Sequence, residues 1–277
     1  PILKAVAIEN SNRADRVVGF PDIYDEDYMY YHYIDKSRKG GMYNDWKGGQ
    51  HGAMIARRGC GKSLKNAAEL SKLFVVGENE RVCKEVKAFA CASEKEYLVK
   101  DGILNKFVSF IDFLAEYTEF PRARLKDSIN EMYWKMGYKH PDLGINKGTE
   151  NEVMGVTTKD NADKARGKRA NKMIYEEFGK YSNFIQTWNT NRFNVESGDK
   201  VFGQAVAFGT GGTEGSDFSG ALEMIYNPAG YGLYPIPNVY DKNAKGNNTT
   251  VFFFGAYLNR EGYFDKNGNS DVIGAMI

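Results

Sequence analysis

The chain has 277 residues, 42% hydrophobic and 26% charged, which suits one large globular domain and excludes a disordered, collagenous or low-complexity chain. Its formal net charge of +1 excludes a global basic field, so any nucleic-acid contact must come from a local patch. No apolar run approaches the roughly 18–20 residues of a membrane-crossing helix. The chain opens at Pro1 with no basic-then-apolar leader, and Cys60, Cys83 and Cys91 match neither a disulfide framework nor a metal spacing, so they are read as reduced thiols.

Residues 1–50 are irregular and tyrosine-rich, with Tyr24, Tyr28, Tyr30, Tyr31, Tyr33 and Tyr43. A short helix is expected over 25–36, with turns at Gly40-Gly41 and Gly48-Gly49. The aromatics have two readings: packing of a peripheral segment on a sheet, or stacking on a bound base. Gln50 is a weaker candidate for reading a base edge.

The most informative run is Ala56-Arg57-Arg58-Gly59-Cys60-Gly61-Lys62-Ser63. It follows Ala53-Met54-Ile55, the expected end of a buried strand. It precedes 64–76, where Leu64, Ala67, Ala68, Leu70, Leu73 and Phe74 recur at helical spacing. Strand, glycine-rich turn, Lys-Ser and helix is the order of a phosphate-binding loop. Glycines let backbone N–H groups turn inward around an anion, and the helix start adds its dipole. In this reading Arg58, Gly59, Cys60 and Gly61 cradle a nucleotide, Lys62 reaches its β- and γ-phosphates, and the Ser63 hydroxyl binds Mg²⁺. Ala56 stands where the common pattern begins with Gly.

Residues 85–117 are expected to be mostly helical, with a break at Gly102 and an apolar face of Phe107, Phe110, Ile111 and Leu114. Arg122, Arg124 and Lys126 form a small basic cluster, read first as solvated and second as a phosphate or DNA contact. Short strands are expected over 131–136 and 152–157, and a polar, basic connection over 160–171.

Lys172-Met-Ile-Tyr-Glu-Glu-Phe178 is an apolar strand ending in two carboxylates. Adjacent acids there are costly to bury unless a cation waits for them, and a magnesium nucleotide supplies one. Consecutive strand residues point to opposite sides. Glu176 is therefore assigned to the metal and Glu177 to the attacking water as general base. The first position is commonly Asp; the extra methylene of Glu176 points to contact through the metal's water shell. A further strand over 201–208 ends in Gly209-Thr210-Gly211-Gly212-Thr213, whose threonine hydroxyl stands at the carboxyl end of a neighbouring strand, where open α/β sheets bind ligands. Beyond Pro228 the helical periodicity stops, and a strand is expected over 249–257. Residues 265–271 lack the Gly and Glu placement of a calcium loop and read as a turn with a helix cap at Ser270 or Asp271.

In order, ARRGCGKS, ARGKRANKMIYEEFGKY (165–181) and AFGTGGTEGSDF (207–218) resemble the ATPase domain of the phage terminase large subunit, over about residues 50–220. The resemblance implies an additional-strand, RecA-like P-loop NTPase: α/β, with a mostly parallel central sheet flanked by helices. It implies ATP and Mg²⁺ as cofactors and ATP hydrolysis that drives double-stranded DNA into a procapsid. The implied partners are double-stranded DNA, the portal protein, the small terminase subunit and further copies in a ring, in the host cytoplasm and away from membranes. Residue by residue it implies that Arg57 contacts phosphate within the subunit and that Lys62 and Ser63 hold nucleotide and magnesium. Glu176 and Glu177 become the metal-side and catalytic acids, and Thr210 lies in a coupling motif. Arg166 becomes an arginine finger, in cis or in trans, with a DNA contact or a loop cap as the other readings. The expected division is 1–228 for the ATPase domain, with 1–50 an extension, and 229–277 for the start of a linker subdomain. The family's nuclease domain, and its activity, are expected to be absent from this chain. A helicase- or recombinase-like ATPase and a nucleotide-binding scaffold without turnover are the alternatives. A kinase is disfavoured because it has no use for a water-activating acid pair.

Overall fold

The computed structural model describes residues 6–8, 17–19, 51–56, 58–78, 81–120, 123–158, 165, 167–211, 218–238 and 249–254. The expected helix over 25–36, the tyrosines of that region, Gln50 and the turn at 265–271 lie outside these residues.

Eight strands form the main sheet: β1 (Gly52–Ala56), β2 (Lys87–Ala92), β3 (Arg124–Ser128), β4 (Tyr133–Met136), β5 (Glu152–Thr157), β6 (Lys172–Glu176), β7 (Gln204–Gly209) and β8 (Phe252–Phe254). Their spatial order is β8-β1-β7-β6-β2-β5-β4-β3. The six from β8 to β5 are parallel, and β4 and β3 add an antiparallel edge. β7 thus stands between the strand of the phosphate loop and the strand of the acid pair, which is the additional-strand arrangement.

The central strands are apolar along their whole length because both faces are covered. Met54, Ala56, Ala88, Ala90, Ala92, Ile174, Val206 and Phe208 face one core; Ala53, Ile55, Phe89, Cys91, Met173, Tyr175, Ala205 and Ala207 face the other. The first core is closed by α1 (Lys62–Val75) and α3 (Ile103–Tyr117), where Phe107 meets Phe74 and Trp134 edge-to-face at centroid distances of 5.4 Å. The short α2 (Lys95–Val99) precedes α3. The second core is closed by α4 (Phe184–Asn191) and α5 (Ser219–Tyr226), with Phe184 and Trp188 against Tyr175. Among the described residues no helix is long and apolar enough to cross a membrane.

Several expectations are corrected. Residues 87–92, expected to be helical, form β2 at the centre of the sheet. Lys-Ala-Phe-Ala-Cys-Ala carries small residues of high helix propensity, but burial on both faces favours the strand, and tertiary context overrides propensity. The strand expected over 201–208 starts at Gln204, because Lys200–Val201 turns back to pair with Glu196–Ser197. The strand expected from 249 is broken at Val251: Thr249–Thr250 pairs with Ile236–Pro237, while β8 pairs with β1. The last described strand, beyond residue 228, therefore lies in the main sheet. Of the basic cluster, Arg124 and Lys126 sit on β3 in ion pairs with Asp112, Asp127 and Glu131, and Arg122 lies outside the described residues. The three cysteines are free thiols.

Candidate active site

β1 ends at Ala56, and the chain turns through Gly59 (φ 86°) and Gly61 (φ 78°) into α1. Both glycines are in the left-handed region, which a β-carbon penalises. Gly61 caps α1 without any side-chain hydrogen bond, and the first turn contains no acid. It contains Lys62 and Lys65 instead. Cations at a positive helix end repel it, so this terminus favours an anion.

Two buried lysines shape the loop from within. Lys62 Nζ donates to the Ala56 carbonyl at 3.1 Å, folded back onto its own loop. Lys65, only 1% exposed, donates from Nζ to the Cys60 carbonyl at 2.6 Å and braces the turn from behind. Cys60 is itself buried in the core, so its side chain is not a ligand and only its backbone can serve an anion. Arg58 and Gly59 are exposed.

The acid pair lies at the end of β6, as expected, but the two acids separate for a further reason. Glu176 is the last strand residue, whereas Glu177 adopts φ 49°, ψ 53° and starts the 3₁₀ turn Phe178–Lys180. A left-handed non-glycine residue costs on the order of 1–2 kcal/mol and is characteristic of functional sites. The kink, beyond strand alternation, sends the carboxylates apart. Glu176 Oε1 accepts from Ser63 Oγ at 2.7 Å, and Oε2 accepts from the Ile103 backbone N–H at 2.8 Å. Burial raises the Glu176 pKa to about 7, against the lowering effect of those two hydrogen bonds and of the Lys106 charge. Glu177 Oε2 accepts from both Thr210 N (3.2 Å) and Thr210 Oγ1 (2.9 Å). The threonine hydroxyl therefore engages the second acid.

The α2–α3 turn also borders the cavity, through Lys100, Asp101 and Gly102. Gly102 is enclosed there: an added Cβ would lie 1.7 Å from the Tyr97 carbonyl oxygen. This close turn presents the Ile103 N–H to Glu176. The cavity, of about 700 Å³, is bordered by Arg58, Gly59, Gly61, Lys62, Ser63, Glu176, Glu177 and Thr210, with Lys100, Lys106 and Lys180 also lining it. It opens at the carboxyl ends of β1, β6 and β7, the ligand position of open α/β sheets.

Ser63 Oγ and Glu176 offer two hard oxygen donors in contact, the kind of pair that suits Mg²⁺. The burial-raised Glu176 is a carboxylate placed where a cation would restore its charge. Of the residues singled out in the sequence, Arg58, Gly59, Gly61, Lys62, Ser63, Glu176, Glu177 and Thr210 come together at one cavity, and Cys60 is turned into the core. Arg57 and Arg166 lie outside the described residues. Sequence reasoning missed Lys65, Gly102, Ile103 and Lys106. Lys65 carries no local signal of its partner, and the other three fall in a stretch expected to be mostly helical, in which the break at Gly102 is the one signal.

Fold and site together define the class: an additional-strand P-loop NTPase domain. No family model and no curated protein matches the chain. Among solved structures, the large terminase ATPase domain of Thermus phage P74-26 is 14% identical, with a TM-score of 0.50 over 74% of this chain and 76% of that one. The large terminase of a thermophilic bacteriophage is 12% identical, covering 89% of this chain and 57% of that one at a TM-score of 0.48. The HK97 bacteriophage large terminase is 15% identical, covering 72% and 38% at 0.42. This chain thus has the fold of the P74-26 terminase ATPase domain, the same family its motifs resemble.

Proposed function

We propose that this chain is the ATP-hydrolysing motor domain of a viral terminase large subunit, Mg²⁺-dependent and acting in the packaging of double-stranded DNA into a procapsid. The observation that carries the reading is the convergence of Lys62, Ser63, Glu176, Glu177 and Thr210 on one cavity, on a sheet with β7 inserted between β1 and β6. Ser63 and Glu176 would hold Mg²⁺, which would supply neutralisation of phosphate charge, while the glycine loop and α1 terminus would hold the phosphates. Lys62 exchanges the neutral Ala56 carbonyl for an anionic phosphate oxygen, adding a charge–charge attraction to the hydrogen bond. Glu177 orients the attacking water and accepts its proton, and Thr210 fixes the carboxylate for that task. Arg57 contacts phosphate in cis, and Arg166 serves as an arginine finger in its own or a neighbouring subunit. The working form is a ring of copies in the host cytoplasm, engaging portal protein, small terminase subunit and duplex DNA. Residues 1–228 with strand β8 form the motor body, and the rest of 229–277 begins the linker.

The test is ATP hydrolysis with Mg²⁺, alone and with duplex or single-stranded DNA. Turnover stimulated by duplex supports the packaging motor. Stimulation by single strands alone replaces it with a helicase- or recombinase-like ATPase. Nucleotide binding without turnover, even at high protein concentration and with DNA, replaces it with a nucleotide-binding scaffold.

A further inference from the structure

The cavity has two walls, and only one was visible in the motifs. The second is the turn from α2 into α3, locked to the acid pair by the Ile103 N–H on Glu176 at 2.8 Å. Gly102 lets that turn pass close to the preceding helix, since an added Cβ would lie 1.7 Å from the Tyr97 carbonyl oxygen. Lys106 follows Ile103 by three residues on α3, so it lies on the same face, one turn along. It borders the cavity, and its ammonium donates to the Asp101 backbone carbonyl.

We propose that Lys106 is a second phosphate-binding cation of this site, reaching the terminal phosphate of a nucleoside triphosphate from the α2–α3 side of the cavity. The proposal rests on the nucleotide-hydrolysing reading above. Three features favour Lys106 over Lys100 and Lys180. It is half-buried whereas those two are exposed, it sits on a 15-residue helix packed into the core, and its charge acts on Glu176. The Asp101 carbonyl is a neutral partner. A phosphate oxygen in its place sets the ammonium against an opposite charge, which the neutral carbonyl does not offer. The site also needs the charge: Glu176 and Glu177 face a triphosphate that is itself strongly anionic, and like charges at close range repel. Ile103 holds this turn beside Glu176. With Lys106 assigned to the terminal phosphate, its contact is made with a triphosphate and lost with a diphosphate.

The experiment compares wild type, Lys106→Met and Lys106→Arg in the full chain with Mg²⁺, by calorimetric binding of ADP and of a non-hydrolysable ATP analogue, beside steady-state hydrolysis. Lys106→Met is expected to weaken the triphosphate analogue and lower kcat by roughly tenfold or more, and to leave ADP affinity within about twofold. Lys106→Arg is expected to restore the preference for the triphosphate. Equal losses for both nucleotides, or no loss for either, overturns the proposal while leaving the phosphate loop in place. Wild type that binds neither nucleotide overturns the underlying reading as well.

Discussion

Glu176→Gln makes the sharpest test of the buried acid. Glu176 is 4% exposed, and burial moves its pKa from the ordinary 4.5 up to about 7. The unfolded chain ionises it first, so the folded form loses stability as pH rises from 4.5 to 7 and no more above that. The gap of some 2.5 units corresponds to about 3 kcal/mol at pH 8. Glutamine does not ionise, and its amide satisfies the same neighbours: the carbonyl accepts from Ile103 N–H and the NH₂ donates to Ser63 Oγ. In the nucleotide- and magnesium-free protein, Glu176→Gln should match wild type near pH 4.5 and exceed it by about 3 kcal/mol above pH 7, or roughly 5 °C in Tm. The buried Lys172, whose pKa burial lowers to about 7, adds stability as pH climbs above 7, but it is common to both proteins and cancels in the difference. Denaturant unfolding of both proteins at half-unit steps from pH 4.5 to 8 measures it. A difference that is flat in pH, or a wild type more stable at pH 8, refutes the reasoning.

Lys65→Met should strand the buried Cys60 carbonyl, costing about 1–3 kcal/mol in urea unfolding, and loosen the phosphate loop enough to weaken ATP binding. Gly102→Ala should force the α2–α3 turn apart, costing roughly 1–3 kcal/mol; because it also pulls the Ile103 N–H off Glu176, steady-state kinetics should show kcat falling more than KM changes. Phe107→Ala, removing the ring between Phe74 and Trp134, should cost about 3–5 kcal/mol in the same unfolding measurement without altering nucleotide selectivity.

The legible parts of this molecule are those where local chemistry has one purpose. Gly59, Gly61, Lys62 and Ser63 between a strand and a helix have the pattern of a phosphate loop, and the two carboxylates at the end of the apolar β6 stand out because such a position calls for a cationic partner. The illegible parts depend on what lies across the fold. Residues 87–92 read as helix because Ala88, Ala90 and Ala92 suit both periods, and only neighbours on both faces decide for a strand. Lys65 carries no local signal because its partner is a backbone carbonyl, which no residue type reveals. Ile103 contributes through its N–H alone, so its side chain carries no sign of the contact with Glu176. Thr210 follows β7 directly, but its bond to Glu177 is formed where that residue is left-handed, and nothing in Glu-Glu-Phe announces a positive φ.

The central claim is that Lys62 and Glu177 divide nucleotide binding from water activation within one site. Binding and hydrolysis of ATP with Mg²⁺, measured side by side on wild type, Lys62→Ala and Glu177→Gln, test it most directly. The account predicts that Lys62→Ala loses ATP binding, and that Glu177→Gln binds ATP as wild type does but does not turn it over. ATP binding unchanged in Lys62→Ala, or hydrolysis surviving in Glu177→Gln, would contradict it.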